Sequence, residues 1–226
     1  MTTVILDFEK RVVEIEMYYK YIESIEEKNA MLYFPHKITH KFLTHDGELI
    51  KVFKANIFLM LYNLSEASIK QSISEIYDQI SSEKLKYKDV IDEVKRIWIN
   101  EKHKNFKTIG TERIFNIISN IAEEIIEIKF DSEKVISGNI DGRKIREFSE
   151  KHGFSSKVHI RANEGRNLHV VKTQRNNLAH GVISFAECGR NYSITDLKII
   201  KHEVIIYLRR ILKNIDHYIQ KREYAL

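Results

Sequence analysis

The chain has 226 residues, 43% hydrophobic and 31% charged, enough to bury one sizeable core and too few to require two domains, so residues 1–226 are read as a single domain. Its one cysteine, Cys188, excludes an internal disulfide and a CxxC zinc pair, which suits a reducing cytoplasm. The absence of an apolar run of about 18 residues, or of a signal-peptide pattern in MTTVILDFEKR, argues against a membrane span or secretion. The net charge of +5 divides unevenly: residues 141–226 carry 17 Lys+Arg against 9 Asp+Glu, and residues 1–140 carry 20 against 23. A basic C-terminal half suits a polyanionic partner, although a lysine-rich solvated surface gives the same count.

One proline and eight glycines leave room for long segments, and apolar residues recur every three to four positions, so the fold class is all-α. From Val4 to about Lys28, the spacing of Val12, Ile15, Tyr19, Ile22 and Ile25 predicts a first long helix. Met31 to Asp46 holds the proline and three histidines and reads as an irregular connection. After Gly47, the positions Phe53, Ile57, Met60, Leu64 and Ala67, continued by Ile73, Ile76 and Ile80, predict a central buried helix. Val90, Val94, Ile97 and Trp98 mark a third helix. Ile114, Ile117, Ile118, Ile121, Ile125 and Ile128 mark a fourth that frays into DSEKVISGN, even though β-branching lowers helix propensity.

Asp141 to His152 reads as a short helix with Asp141 as N-cap and Gly153 as terminator. Leu168, Val171 and Leu178 trace one side of a helix that carries Arg175 and stops at Gly181. Thr195 stands where an N-cap would precede the final stripe of Leu197, Ile200, Val204, Leu208, Ile211, Ile215 and Tyr218.

The segment RNNLAHG, Arg175 to Gly181, places a permanent cation and a titratable imidazole near a helix end. Arginine offers a fixed fork of donors to phosphate oxygens, and histidine exchanges protons near neutrality, so the pair suits phosphodiester chemistry without a metal. By itself the spacing is weak: 12 arginines and 10 histidines give any one spacing about half a chance occurrence, and Arg146/His152, Arg96/His103 and Arg210/His217 fall in the same loose window. Context separates Arg175/His180 from these, with Asn176 directly after the arginine, Ala179 and Gly181 flanking the histidine, and SFAECGR following. On a regular helix the two side chains stand roughly 140° apart. Either the helix ends before His180 or a second subunit completes the site.

These blocks, with NIFLMLYNLSEAS at 56–68 and GNIDGRKIREFSEKHGF at 138–154, resemble a bacterial HEPN-like nuclease family of the MAE type, within the HEPN superfamily. The resemblance covers most of residues 50–220. It implies a HEPN-type helical bundle with additional helices, and a homodimer with a composite active site facing RNA. The implied activity is metal-independent endoribonuclease cleavage, with a 2′-hydroxyl attacking to leave a 2′,3′-cyclic phosphate and a 5′-hydroxyl. In that scheme His180 moves protons, Arg175 stabilises charge on the transition state, and Asn176 holds the phosphate or orients His180. A toxin or phage-defence role, with an antitoxin or other regulatory protein as a further partner, is implied in the same way. The family branch with a tyrosine two residues after the histidine has a modification target there; this chain has Val182.

Asn56, Asn63 and Glu66 share a face of the central helix and form a candidate supporting shell in which Glu66 orients Arg175 or His180; an internal polar network that fixes helix register is the alternative. His36, His40 and His45 with Asp46 lack the glutamate of HExxH and lie in the proline-marked connection, so no metal or other cofactor is expected. Cys188 reads as packing, and GNIDG lacks P-loop or Rossmann spacing. The alternatives to a nuclease are a catalytically silent HEPN-like module that binds RNA or a protein, and a purely structural helical dimer.

Overall fold

The three-to-four residue spacing becomes eight α-helices among the described residues, which are 1–27, 30–34, 41–43, 46–102, 110–128 and 139–226 of this computed structural model. They are α1 (Thr2–Glu26), α2 (Gly47–Ser82), α3 (Asp92–Lys102), α4 (Thr111–Asn120), α5 (Gly142–His152), α6 (Arg166–Ala179), α7 (Phe185–Arg190) and α8 (Ile194–Gln220). The fold is all-α, as expected. Helix α2 is 36 residues long, about 54 Å. Asp46 caps it, its carboxylate accepting the Glu48 N–H at 2.8 Å.

Ile57, Phe58, Leu61, Leu64, Ile73 and Ile80 bury the inner side of α2, against which α1, α6, α7 and α8 all pack. Burial of each such side chain contributes roughly 1.5–3 kcal/mol, so α2 is the axis on which the other elements are placed. Helix α8 returns alongside α1, where Arg209 grips both Glu9 oxygens at 2.7 and 2.8 Å. Among the described residues no helix is long and apolar enough to cross a membrane.

Three local expectations differ from the structure. The connection from Met31 to Asp46 contains a small antiparallel pair, β1 (Leu32–Phe34) with β2 (Lys41–Leu43), Tyr33 standing opposite Phe42. The fourth helix stops at Asn120 and a 3₁₀ turn. Ile125 then bridges Lys86, and the Ile126 N–H donates to the Leu85 carbonyl at 2.7 Å. Ile126 and Ile128 are buried while Ile125 is half exposed, the alternation of extended chain that β-branched residues favour. The last helix is capped by Ser193, not Thr195: Ser193 Oγ accepts the Asp196 N–H at 3.1 Å and Asp196 accepts the Ser193 N–H at 2.8 Å, a reciprocal box.

Asp141 and Gly153 bound α5 as the sequence predicts. The Asp141 carboxylate accepts the Lys144 N–H at 2.9 Å, and Gly153 takes the left-handed conformation at φ 86°.

Candidate functional site

Leu168, Val171 and Leu178 bury one side of α6 against α2 and α8, and this fixes where the remaining side chains point. The helix runs regularly to Ala179. His180 follows as the C-cap at φ −95° and ψ 4°, and its N–H still donates to the Asn176 carbonyl at 3.0 Å. Gly181 then turns left-handed at φ 66°, its N–H reaching Leu178 O at 3.3 Å while Val182 N–H reaches Asn177 O at 2.8 Å. This is a Schellman end, and it explains the glycine: only a residue without Cβ adopts that φ without strain.

The helix therefore ends at His180 without swinging it back toward Arg175, and the rotation of roughly 140° survives. His180 is exposed, whereas the Arg175 side chain turns inward and is 27% exposed. No hydrogen bond joins the His180 imidazole to Arg175 or Asn176 among the described residues.

Arg175 is held on three sides. Its guanidinium carbon lies 4.2 Å from the centre of the Tyr62 ring, its Nη1 donates to Asn176 Oδ1 at 2.9 Å, and its Nη2 stands 3.8 Å from Glu66 Oε2. Stacking on an aromatic face leaves the guanidinium edge to hydrogen-bond partners, here Asn176 with Glu66 nearby. Tyr62 is fully buried. Burial first, and the nearby Glu66 charge second, push its hydroxyl up to about 12, so it stays protonated. Composition and spacing did not single out Tyr62; the signal was present in its position four residues before Glu66, on the same face of α2.

Of the three polar residues proposed on α2, only Glu66 reaches this place, where it also pairs with Lys70 at 2.6 Å. Asn56 donates to the Val52 carbonyl at 3.0 Å and faces Tyr18 of α1. Asn63 is exposed rather than buried, because none of the packed helices covers that side of α2. The shared face is real in angle but not in environment.

The segment SFAECGR has a structural explanation. Ser184 and Glu187 cap α7 reciprocally, with Glu187 N–H to Ser184 Oγ at 3.2 Å and Ser184 N–H to Glu187 Oε2 at 2.8 Å. Gly189 presses on the start of α2, where a Cβ would stand 1.9 Å from the Lys51 carbonyl oxygen. Cys188 is buried, and burial pushes its thiol up to about 11, so it is no nucleophile near neutrality; its Sγ sits 3.6 Å from Gln174 Oε1.

Among the described residues no group of three or more His, Cys, Asp or Glu is placed to hold a metal ion. His36, His40 and His45 lie outside the described residues. Val182 is exposed, two residues past His180.

A scan against protein-family models matches the MAE_28990-like HEPN family over residues 1–224. No curated protein and no solved structure is found to match. HEPN domains are generally linked to RNase activity and typically act as dimers on RNA. With a match that runs from the first residue through the Arg175/His180 helix to the end of α8, this chain belongs to the HEPN family.

Proposed function

We propose that the chain is a single-domain, metal-independent endoribonuclease that acts as a homodimer in the cytoplasm, as a toxin or phage-defence effector. The observation that carries this reading is the stacking of Arg175 on Tyr62, its guanidinium steadied by Asn176 and Glu66, five residues before an exposed His180 at the end of the same helix.

In the proposed reaction the RNA 2′-oxygen forms a bond to phosphorus while the bond from phosphorus to the 5′-oxygen breaks. His180 takes the 2′-hydroxyl proton, and the same residue of a second copy donates a proton to the leaving oxygen. Arg175 stabilises the charge that builds on the phosphoryl oxygens. Asn176, through its bond to Nη1, sets the orientation of the fork, and Glu66 assists it from α2. The divergence of Arg175 and His180 within one protomer supports the dimeric part of the reading: two copies related by a twofold axis bring two histidines and two arginines to one cleft. DNA lacks the nucleophile and should resist.

The test is incubation of the purified protein with mixed RNA in EDTA, beside folded His180→Ala and Arg175→Ala forms, with analysis of the cut ends. Cleavage to cyclic-phosphate ends, lost in both variants, is expected. Intact RNA, or equal cutting by the variants, overturns the nuclease reading in favour of a silent RNA-binding or protein-binding module. In a second assay, excess inactive His180→Ala mixed with wild type should lower activity below that of wild type alone if the site is composite, because each mixed dimer holds only one of the two imidazoles.

A further inference from the structure

A cavity of about 520 Å³ opens where α5 and α6 begin, on the flank of α6 away from the Tyr62 stack. Arg143 and Arg146 reach it from the first turn and a half of α5, Arg166 and Lys172 from α6, and His169 stands between the last two. Two carboxylates share the space. Asp141 is buried and committed twice over, to the Lys144 N–H and to the Lys172 ammonium, so that pair is neutral within itself. Glu164 is exposed, and it is its backbone carbonyl, not its carboxylate, that takes Arg146 Nη1 at 3.0 Å. Three arginines therefore face one unpaired carboxylate. Among the described residues no ion pair engages Arg146 or Arg166, and Arg143 has only a long contact to Glu147 at 3.8 Å.

The backbone adds to the positive field. Gly165 precedes the 14-residue helix α6 without any side-chain cap, and with the Arg166 N–H turned back to the Asn163 carbonyl it is the positive end of the helix dipole that faces the cavity. The geometry is rigid. Asn163, Glu164 and Gly165 are left-handed in succession, at φ 46°, 52° and 76°. A Cβ on Gly142 would stand 3.0 Å from the Gly165 carbonyl, and one on Gly165 would stand 2.8 Å from the Tyr207 ring. Two helix starts are thereby locked side by side.

We propose that this cavity is a phosphate subsite that takes a phosphate group of the RNA strand whose scissile bond lies at Arg175, an inference that rests on the endoribonuclease reading for the identity of the strand. Planar guanidinium forks recognise tetrahedral oxyanions, and three arginines suit a phosphate better than a carboxylate. Arg166, His169, Lys172 and Arg175 follow one another at steps of three along α6. Arg166 and Arg175 are about 13.5 Å apart in rise. Nine residues also turn Arg166 about 180° around α6 from Arg175, so at the 3.4 Å rise of a stacked strand the cavity is about four nucleotides or more from the reacting phosphate. The phosphate is either an internal diester or a terminal monoester.

The experiment measures binding of an uncleavable 2′-O-methyl oligoribonucleotide, with and without a 5′-phosphate, by fluorescence anisotropy over a range of salt. The proteins are wild type, Arg143→Ala/Arg166→Ala, and Lys213→Ala/Lys221→Ala as a control that removes equal charge elsewhere. All four substituted basic residues are exposed, and thermal unfolding checks that each form is folded. The arginine pair is expected to bind about tenfold more weakly, with a log affinity against log salt slope shallower by about 0.7 per phosphate lost. The control should stay within about twofold of wild type. A 5′-phosphate that strengthens binding by wild type but not by the arginine pair assigns the terminal monoester; equal response assigns the internal diester. An arginine pair that binds like wild type, or a control that weakens as much, overturns the subsite even where wild type cleaves RNA, and so does absence of RNA binding by wild type. Cavity-dependent binding by a wild type that cuts no RNA keeps the subsite and removes the nuclease reading.

Discussion

The Arg175 guanidinium rests 4.2 Å above the centre of the fully buried Tyr62 ring, so the position of the proposed transition-state cation is set by an aromatic face on α2. A partly desolvated cation on an aromatic ring gains about 1–2 kcal/mol. Tyr62→Phe keeps the ring and should leave single-turnover RNA cleavage within about twofold. Tyr62→Leu removes it, and the rate should fall by about tenfold, the kinetic equivalent of about 1.4 kcal/mol. A Phe variant as slow as the Leu variant would show that the hydroxyl, not the face, matters.

Glu66 and Asn56 lie on the same helix α2 but in different surroundings, which separates their expected effects. Glu66→Gln removes the charge 3.8 Å from Arg175, and the thermal midpoint should hardly move, since partly exposed pairs contribute about 0–1 kcal/mol. Cleavage should drop a few-fold because the fork is less firmly oriented. Asn56→Ala loses its bond to the Val52 carbonyl and should lower stability by about 1 kcal/mol with the rate of the folded enzyme unchanged. Equal loss of cleavage from Glu66→Gln and Asn56→Ala would contradict this division.

His152 gives the protein an acid-sensitive joint away from the proposed site. Its imidazole is buried between Tyr77 and the Phe148 carbonyl, and burial lowers its pKa from 6.5 to about 4. A base whose folded pKa is depressed favours the native state when neutral. Its contribution is present above pH 6.5 and is lost as pH falls from 6.5 toward 4. From these values, about 2 kcal/mol of stability should disappear between pH 7 and pH 5. Urea unfolding at the two pH values checks the slope, and His152→Leu should flatten that part of it.

Much of this was legible in the chain because it is written in apolar spacing and caps. The 36-residue α2 follows its isoleucine and leucine stripe, Asp141 and Gly153 bound α5, and Gly181 ends α6 through a turn that only glycine takes easily. The failures share a cause. Ile121 to Ile128 carries a helical spacing, but the same β-branched residues suit extended chain, and the Leu85 and Lys86 backbone supplied partners that no local pattern reveals. Ser193 rather than Thr195 is the N-cap because its hydroxyl and the Asp196 carboxylate accept each other's N–H reciprocally, which leaves Thr195 inside the first turn.

At the site, the motif exposed Arg175, Asn176 and His180, yet what surrounds them depends on tertiary contact. Tyr62 lies more than a hundred positions before Arg175, and an angular argument along α2 grouped Asn63 with Glu66 without knowing which side would be covered. The cationic cavity escaped notice for the same reason, since Arg143 and Arg166 meet only because two helix starts are locked together.

Gly189, on α7, and Gly47, at the start of α2, should respond oppositely to a single methyl group. A Cβ at Gly189 would stand 1.9 Å from the Lys51 carbonyl oxygen, 2.6 Å from its carbon and 2.9 Å from its Cα, all backbone atoms of α2 that cannot rotate aside. Helix α7 must then lift off α2, dragging Cys188 and the Gln174 contact with it. Overpacking of this kind costs about 3 kcal/mol or more. Gly47, the first residue of α2, has nothing within 4 Å of its Cβ position and no left-handed φ, so Gly47→Ala removes only unfolded-state freedom and should stabilise by about 0.4–1 kcal/mol. For a chain of this size 1 kcal/mol moves the midpoint by about 2–4 °C. Calorimetry should therefore find Gly189→Ala lower by about 6–12 °C and Gly47→Ala higher by about 1–4 °C. A Gly189→Ala protein that melts with wild type would mean that α7 does not press on α2 as described, and the reason given for the glycine in SFAECGR would fall with it.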